Sequence, residues 1–470
     1  MLALGDFLEA RAASLDQQRD ELTADGIRFA HVQWATFPGT LRSKLAPAAK
    51  AVSSVPQGFN AALLATTHGD GNPAGDVLFD APVSNMANGY PNVLSLPDPD
   101  TLVRLPWRDS TAAVLLNLFE NDGSPCPLDL RALVRDVEDH ARELGYETRF
   151  AYEFELFLFE GDDDLVRAGR HAELVPYGRD LGIYDHLRHP GFEALAREFM
   201  DRLAAIGITV VAFHTEYGRG MIEFALAPLP ALAAADAAIR AKLYLAELCE
   251  ERGLLATFMS RCRAPGTEGT SGAHLHQSLL SDGENAFAGD RDGLSETGRH
   301  YLGGMLATLP EMHAVFRPTV NSYRRVNREE WSPVEASWGH DTRTCAIRAI
   351  TVPAPGAVRF EHRVAGADVN PHLVVATCLA GGLYGIEQGI EPGAPSAGDP
   401  GSENGRHSPF PATLLDSVAA FERSAFAQEL LGPELQRHYA DSRRAEWDAF
   451  QGWLASHITG FEFARYFEAH

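Results

Sequence analysis

The chain has 470 residues, a net charge of −24, 45% hydrophobic and 22% charged residues. That balance suits a globular protein with room for more than one domain and a large core. The acidity argues against nonspecific nucleic-acid binding, and no uninterrupted run of about 18 apolar residues exists to span a membrane.

In chain order, residues 4–25 read as an amphipathic helix closed by Asp25-Gly26. The stretch I-R-F-A-H-V-Q-W-A-T-F-P-G-T-L-R-S-K reads as two strands around a turn at Pro38-Gly39. Strands and loops continue to about residue 105, where L-P-D-P-D and L-P-W-R suggest a boundary. The expected division is therefore 1–105 and 106–470. A strand at Ala112 to Phe119 and a helix at Leu128 to Leu144 open the second part. A strand through Glu153 follows, then a helix near Gly191 to Ile206 and the strand I-T-V-V-A-F-H. Pro230 precedes an Ala-rich helix, Ala231 to Arg252. A Gly/Pro/Ser-rich surface loop spans about 391–405, and the end from Thr413 is helical. There is no regular β-α-β alternation, so the expected class is α+β.

The N-terminus M-L-A-L-G-D-F-L-E-A-R lacks a basic region and a long apolar run, so no secretory signal is expected. The five scattered cysteines contain no C-x-x-C and read as reduced intracellular thiols. The expected location is cytoplasmic. Only three of the 40 basic residues are lysines, Lys44, Lys50 and Lys242. None sits in G-x-x-x-x-G-K-[ST], so a nucleotide would be held by arginine and metal.

Three short polar alternations stand out. Glu153 and Glu155 sit in A-Y-E-F-E-L-F-L-F, His274 and His276 in S-G-A-H-L-H-Q-S, and Arg359, Glu361 and Arg363 in V-R-F-E-H-R-V. Residues two apart on a strand share a face, with Cα atoms about 6.5–7 Å apart. Carboxylates among Phe and Leu are costly unless paired or ligated. Each segment has a bland reading alone. Glu153-x-Glu155 fits a solvated edge strand, Glu216 and Glu223 a charged hairpin around Y-G-R-G-M-I, and Arg359, Glu361 and Arg363 a salt-bridge ladder. Arg343 and Arg348 fit surface charges, and Asn321 to Arg325 a basic helix end. Their joint order is what favours one shared, metal-filled cleft.

That order resembles the glutamine synthetase superfamily, through E-F-E-L-F-L-F, F-H-T-E with a Glu seven residues on, G-A-H-L-H-Q-S, N-S-Y-R-R, D-x-R-T-C-A-I-R, R-F-E-H-R and A-D-V-N-P-H-L. The resemblance implies a small N-terminal β-grasp-like domain and a large catalytic domain whose antiparallel sheet lines a two-metal funnel. It also implies a homo-oligomeric ring, usually dodecameric, with each site completed by a neighbour's N-terminal domain. Carried over motif by motif, Glu155, Glu216 and Glu223 match the ligands of one metal. Glu153, His274 and Glu361 match those of the other. Such a hard set suits Mg²⁺ or Mn²⁺. Arg343 and Arg348 match arginines that bear on the transferring phosphate of ATP. Arg359, His276 and Ser278 match nucleotide-contacting positions, and Arg325 and Arg363 groups that hold the amino acid's carboxylates. The implied reaction is formation of an amide from a carboxylate and an amine through an acyl phosphate.

The chain also departs from the glutamine-forming pattern. Their N-terminal D-G-S-S-like element is G-F-N-A-A-L here, with Asn60 or Ala61 at the Asp place. Their flap, R-x-x-P-x-x-E-A-P, is here Arg325-Val326-Asn327-Arg328-Glu329-Glu330-Trp331-Ser332-Pro333, with Trp331 at the Glu position. Glu329 and Glu330 remain candidate bases. Their N-G-S-G substrate loop is E-G-T-S-G-A, with Gly269 at the Asn position or one residue inserted. Gly269 and Thr270 are candidate substrate contacts. The expected activity is thus a γ-glutamyl–amine ligase using an organic amine. The alternatives are an ammonia-using glutamine synthetase with a divergent flap and an inactive ring-forming structural or regulatory protein.

Overall fold

The computed structural model describes residues 2–66, 80–178, 182–185, 191–264, 268–326, 330–351, 354–402 and 407–468. Its strands are β1 (Phe29–Ala35), β2 (Leu41–Pro47), β3 (Gln57–Asn60), β4 (Asn92–Pro97), β5 (Val103–Arg104), β6 (Thr111–Phe119), β7 (Glu147–Glu160), β8 (Val210–Thr215), β9 (Met221–Leu226), β10 (Leu254–Thr257), β11 (Ala273–Ser281), β12 (Glu284–Asn285), β13 (Ala288–Arg291), β14 (Trp338–His340), β15 (Ile347–Ile350) and β16 (Arg359–His362).

They build two sheets. The first runs β2-β1-β6-β4-β3, with β5 on β6. The second runs β14-β15-β16-β11-β7-β9-β8, with β10 on β7 and β12 on β11. Most pairs of the second sheet are antiparallel, β14 with β15 being parallel. The α+β class expected from the sequence is what is observed. One expectation is corrected. The strand at 112–119 does not open the second part. As β6 it lies between β1, to which it is parallel, and β4. The reason is burial: all nine of its residues are buried, so it must be covered on both faces and flanked on both edges.

β7 shows why the polar alternation survives. Phe150, Tyr152, Phe154 and Leu156 are fully buried on one face, each stabilising by about 1.5–3 kcal/mol. Glu153 and Glu155 point the other way and are only partly covered. The helices Leu130–Glu143 and Ala231–Glu251 pack against β7, and both touch the helix Pro371–Gln388. Tyr152 Oη pins the strand to that third helix by donating to Pro371 O at 2.9 Å. One face of the large sheet is thereby occupied by helices, and the opposite face carries the acidic groups.

The two sheets are tied by buried charge. Arg131 donates to Asp236 Oδ1 at 2.9 Å, to Asp98 Oδ2 at 3.0 Å and to Asn117 Oδ1 at 2.9 Å. His372 Nε2 lies 2.8 Å from Asp236 Oδ1. Asp98 and Asn117 come from the first sheet and its edge, the rest from the helices Leu130–Glu143, Ala231–Glu251 and Pro371–Gln388. The β1–β2 turn docks beside this knot. Asn370 Nδ2 donates to Thr36 O at 2.7 Å. Gly39, at φ +81°, sits where a Cβ would meet Val369 O at 2.5 Å, so only glycine serves there.

Candidate active site

Strand register assembles the site. His274 pairs with Glu153 across β11–β7, Glu155 with Glu223 across β7–β9, and His214 with Glu223 across β8–β9. His276 pairs with Glu361 across β11–β16, and Arg348 with Glu361 across β15–β16. Cross-strand partners project to the same face. Neighbouring strands thus put carboxylates, imidazoles and one guanidinium side by side.

Three groups of ligand atoms each gather within 4.8 Å: Glu153, His276 and Glu361; Glu155, Glu223 and His274; and His214, Glu216 and Glu223. All six residues expected to hold metal fall in these groups. The histidines are distributed differently from the expectation. His274 Nδ1 lies 3.8 Å from Glu153 and 3.6 Å from Glu361, yet its ring also joins the Glu155–Glu223 set. It stands between the two clusters. His276 Nε2 approaches Glu153 Oε1 to 3.0 Å.

The fit to divalent cations can be tested on this geometry. His274 Nε2 is buried and finds no hydrogen-bond partner among the described residues. Gly272 N donates to Glu155 Oε2 at 2.5 Å, which fixes one oxygen of that carboxylate. The clustered carboxylates repel one another. Burial, then the charges of Glu155 and Glu223, push Glu216 up to about 7. Glu223 is also raised by burial, against the hydrogen bond from His214. Like charges packed this closely call for cations. The donor set is oxygen-rich, matching Mg²⁺ or Mn²⁺ better than structural zinc.

On the opposite flank the acids are compensated. Burial works to raise Glu153, but His276 and His274 overcome it and hold the carboxyl well below its usual range. Glu361 is almost wholly buried. Arg363, then His276 and His274, outweigh that burial and keep it at about 2. Arg348 Nη1 donates to Glu361 Oε2 at 2.9 Å, and its Nε to Asp341 at 2.8 Å. Arg363 bonds Glu361 Oε1 and donates from Nε to Arg343 O at 2.9 Å. The Arg343 side chain is exposed. Arg359 Nε donates to His276 Nδ1 at 3.1 Å. Ser278 is half-buried on β11, in phase with His274 and His276.

Arg325 is buried, with Nη1 donating to Ser332 Oγ at 3.2 Å and to the carbonyls of Arg363 and Val364 at 3.3 Å. Its Nε finds no partner among the described residues. Burial lowers its affinity for the proton, opposed first by the charge of Glu155. Gly272 lies against it: a Cβ there would stand 2.7 Å from Arg325 Nη2 and 2.8 Å from His274 Nε2. Gly269 and Thr270 are buried just upstream. On the flap, Trp331 is 56% exposed at φ +55°. Glu330 is ion-paired with the buried Arg261. Glu329 lies outside the described residues, as do Asn327 and Arg328.

Sequence reasoning assigns no role to His214 or Asp341. His214 is 3.2 Å from Glu223 and 3.7 Å from Glu216, with Tyr184 edge-on at 4.7 Å between ring centroids. Its signal is present in the sequence: it precedes Glu216 by two and so shares its strand face. Asp341 opens the D-x-R-T-C motif, but its contact with Arg348 depends on a turn that has no periodic signature.

Residues 127–466 match the glutamine synthetase catalytic domain. The chain is 36% identical over 388 residues to a glutamate–isopropylamine ligase from Pseudomonas sp, covering 81% of this chain and 82% of that protein. It is 33% identical over 387 residues to the γ-glutamylethanolamide synthetase GlnA4 of Streptomyces coelicolor, covering 82% and 81%. The solved ADP complex of GmaS superposes with a TM-score of 0.78 at 27% identity, over 96% of this chain and 99% of that one. No helix among the described residues is long and apolar enough to cross a membrane. With a matched catalytic domain covering most of its length, and ligases among its relatives, the chain belongs to the glutamine synthetase family and is an enzyme that forms carbon–nitrogen bonds.

Proposed function

We propose that this ligase joins the γ-carboxylate of glutamate, or of a similar amino acid, to an organic amine, with ATP as the phosphoryl donor and an acyl phosphate between the two steps. The observation that carries the choice of amine is the flap. An exposed indole, Trp331, occupies the position where glutamine-forming members of the family place a carboxylate, and neighbouring Glu330 is neutralised by Arg261. An apolar aromatic surface favours a nucleophile with carbon to bury. The names of the two relatives, one acting on isopropylamine and one forming an ethanolamide, support the same choice.

Each group has work to do. Arg325, desolvated and with a buried Nε that bonds none of the described residues, suits a bidentate hold on the amino acid's carboxylate. Arg363, locked to Glu361, places a second guanidinium beside it. Arg348 is anchored at both ends by Asp341 and Glu361 and so is pre-aimed at the charge that moves during phosphoryl transfer. The exposed Arg343 can approach the same charge once nucleotide is bound. Arg359 orients the His276 ring and, with Ser278, lines the nucleotide side. Glu155, Glu216 and Glu223 would hold one divalent cation, and Glu153, His274 and Glu361 the other. Bound Mg²⁺ or Mn²⁺ supplies charge neutralisation on the phosphates.

The two-unit organisation, with a β-grasp-like N-terminal unit completing a neighbour's site, and the dodecameric ring belong to the same proposal. So does a cytoplasmic location, where ATP and reduced thiols coexist. The test is a phosphate-release screen of primary amines with glutamate, ATP and Mg²⁺. Amine-dependent release well above that with ammonium is expected. Equal turnover with ammonium would favour a glutamine synthetase, and no ATP or Mg²⁺ binding an inactive scaffold.

A further inference from the structure

Glu268 opens the E-G-T-S-G loop, and its carboxylate is almost fully buried, with 1% side-chain exposure. It lies 2.8 Å from Arg219 Nε and 3.7 Å from Arg263 Nε. A buried carboxylate is retained only where a fixed partner repays its desolvation. Here the partners come from two separate segments. Arg219 sits in the turn between Glu216 and Glu223. Arg263 donates to Ala172 O and Leu174 O and stacks on Phe159 at 4.6 Å.

The main chain immediately downstream of Glu268 is in close contact with the site. Gly269 N donates to Tyr217 O at 3.1 Å, and a Cβ at Gly269 would meet that oxygen at 2.8 Å. Ser271 N donates to Ser260 O at 3.0 Å. Gly272 donates to Glu155 and lies against Arg325 and His274. Residues 268–272 therefore form a wall between the Glu216 turn and Arg325, with Glu268 as its upstream anchor. Among the described residues, the ion pairs of the Glu268 carboxylate are with these two arginines, and it belongs to none of the three ligand groups.

We propose that Glu268 is a positioning residue for the acyl substrate: paired with Arg219 and Arg263, it holds the Gly269–Gly272 main chain at the depth at which Arg325 can receive the amino acid's carboxylate. This rests on the reading of the site as a glutamate–amine ligase and adds a residue to it. Glu268 itself belongs to none of the ligand groups, so its loss is expected to act first on the acyl substrate. Glu268→Gln keeps the shape and removes the charge. Arg219→Gln acts from the exposed partner, where misfolding is not a concern.

The experiment measures glutamate binding by calorimetry in the presence of Mg²⁺ and a non-hydrolysable ATP analogue, alongside KM values for glutamate and ATP. In Glu268→Gln the glutamate Kd and KM should rise about tenfold, with the ATP KM within about twofold. Arg219→Gln should move the same parameters by less, and the exchange Arg219→Glu with Glu268→Arg should recover part of the loss. Equal losses for glutamate and ATP would overturn the proposal in favour of a general structural role. Unchanged glutamate affinity in both single variants would overturn it outright. Wild-type protein that binds the nucleotide analogue but no glutamate would overturn the ligase reading and this proposal together.

Discussion

Arg348 Nη1 donates to Glu361 Oε2 at 2.9 Å across the β15–β16 pair, while Arg363 takes the other oxygen. A carboxylate proposed to hold metal is thus also the counter-ion of two guanidinium groups in a nearly dry setting. Glu153 is different, with 29% of its side chain exposed and histidines as its ion-pair partners.

The two acids should therefore separate in a mutational test. Glu153→Ala is expected to abolish ATP-dependent phosphate release with a smaller loss of thermal stability than Glu361→Ala. Glu361→Ala should abolish release and also destabilise by about 3–5 kcal/mol, since it strands buried cations. Steady-state turnover together with thermal melts would check this. Turnover retained in Glu153→Ala would remove the two-metal assignment.

Glu216 makes stability depend on pH. Burial and neighbouring carboxylates raise it from 4.5 to about 7. A carboxyl raised by folding binds more protons folded than unfolded, so its stabilisation is present below its ordinary value and is lost as pH rises through the folded one. Glu361, depressed to about 2, contributes oppositely: its stabilisation is present above 4.5 and is lost as pH falls through the folded value. In metal-free protein, Glu216→Gln should flatten the decline in melting temperature between about pH 5 and about pH 8. Mn²⁺ must displace the Glu216 proton, so its stabilising shift should be larger at about pH 8 than at about pH 6. Scanning fluorimetry with and without metal reads both. A pH-independent shift would count against Glu216 as a ligand.

The legible part of this site is the part written in strand periodicity. Glu153 and Glu155, His274 and His276, and Arg359 and Glu361 each declare a shared face through spacing alone, and β7, β11 and β16 carry them as strand residues. The helices Leu130–Glu143 and Ala231–Glu251 fall within two residues of their expected ends. The rest depends on residues distant in sequence. The pairing of Arg261 with Glu330 spans 69 positions, and that of Arg219 with Glu268 spans 49. The parallel docking of β6 on β1 escapes local reading for a related reason. Composition near residue 105 suggests a boundary, but pairing is decided by which sheet can cover both faces of an apolar strand.

The proposed assembly can be tested at an exposed apolar cluster. Ile458, Phe461, Phe463, Tyr466 and Phe467 are all more than half exposed, around the helix Gly460–Tyr466. Such a cluster favours burial against another chain. The wild-type protein is expected to sediment as a large ring. Phe461→Asp with Phe467→Asp should shift sedimentation toward smaller species and lower activity in parallel. A fully active monomer would contradict the shared-site proposal.

The flap yields the sharpest expectation about the nucleophile. Ammonium is small and strongly hydrated, so capturing it needs fixed anionic partners, worth about 1.5–3 kcal/mol per charged hydrogen bond. Glu330 is committed to Arg261, and Trp331 stands exposed beside it. The N-terminal element offers Asn60, whose side chain caps the following turn by accepting from Ala62 N at 2.8 Å. An alkyl amine can bury methylenes on the indole, recovering about 0.8 kcal/mol for each. Trp331→Glu should therefore raise kcat/KM for ammonium and lower it for a short alkylamine, reversing the preference by a factor on the order of tens to hundreds. Trp331→Phe should retain the amine and remain poor with ammonium, which separates aromatic contact from mere flap disruption. Measured by phosphate release at saturating glutamate and ATP, wild-type turnover of ammonium as efficient as that of every amine tested would sink the assignment of Trp331.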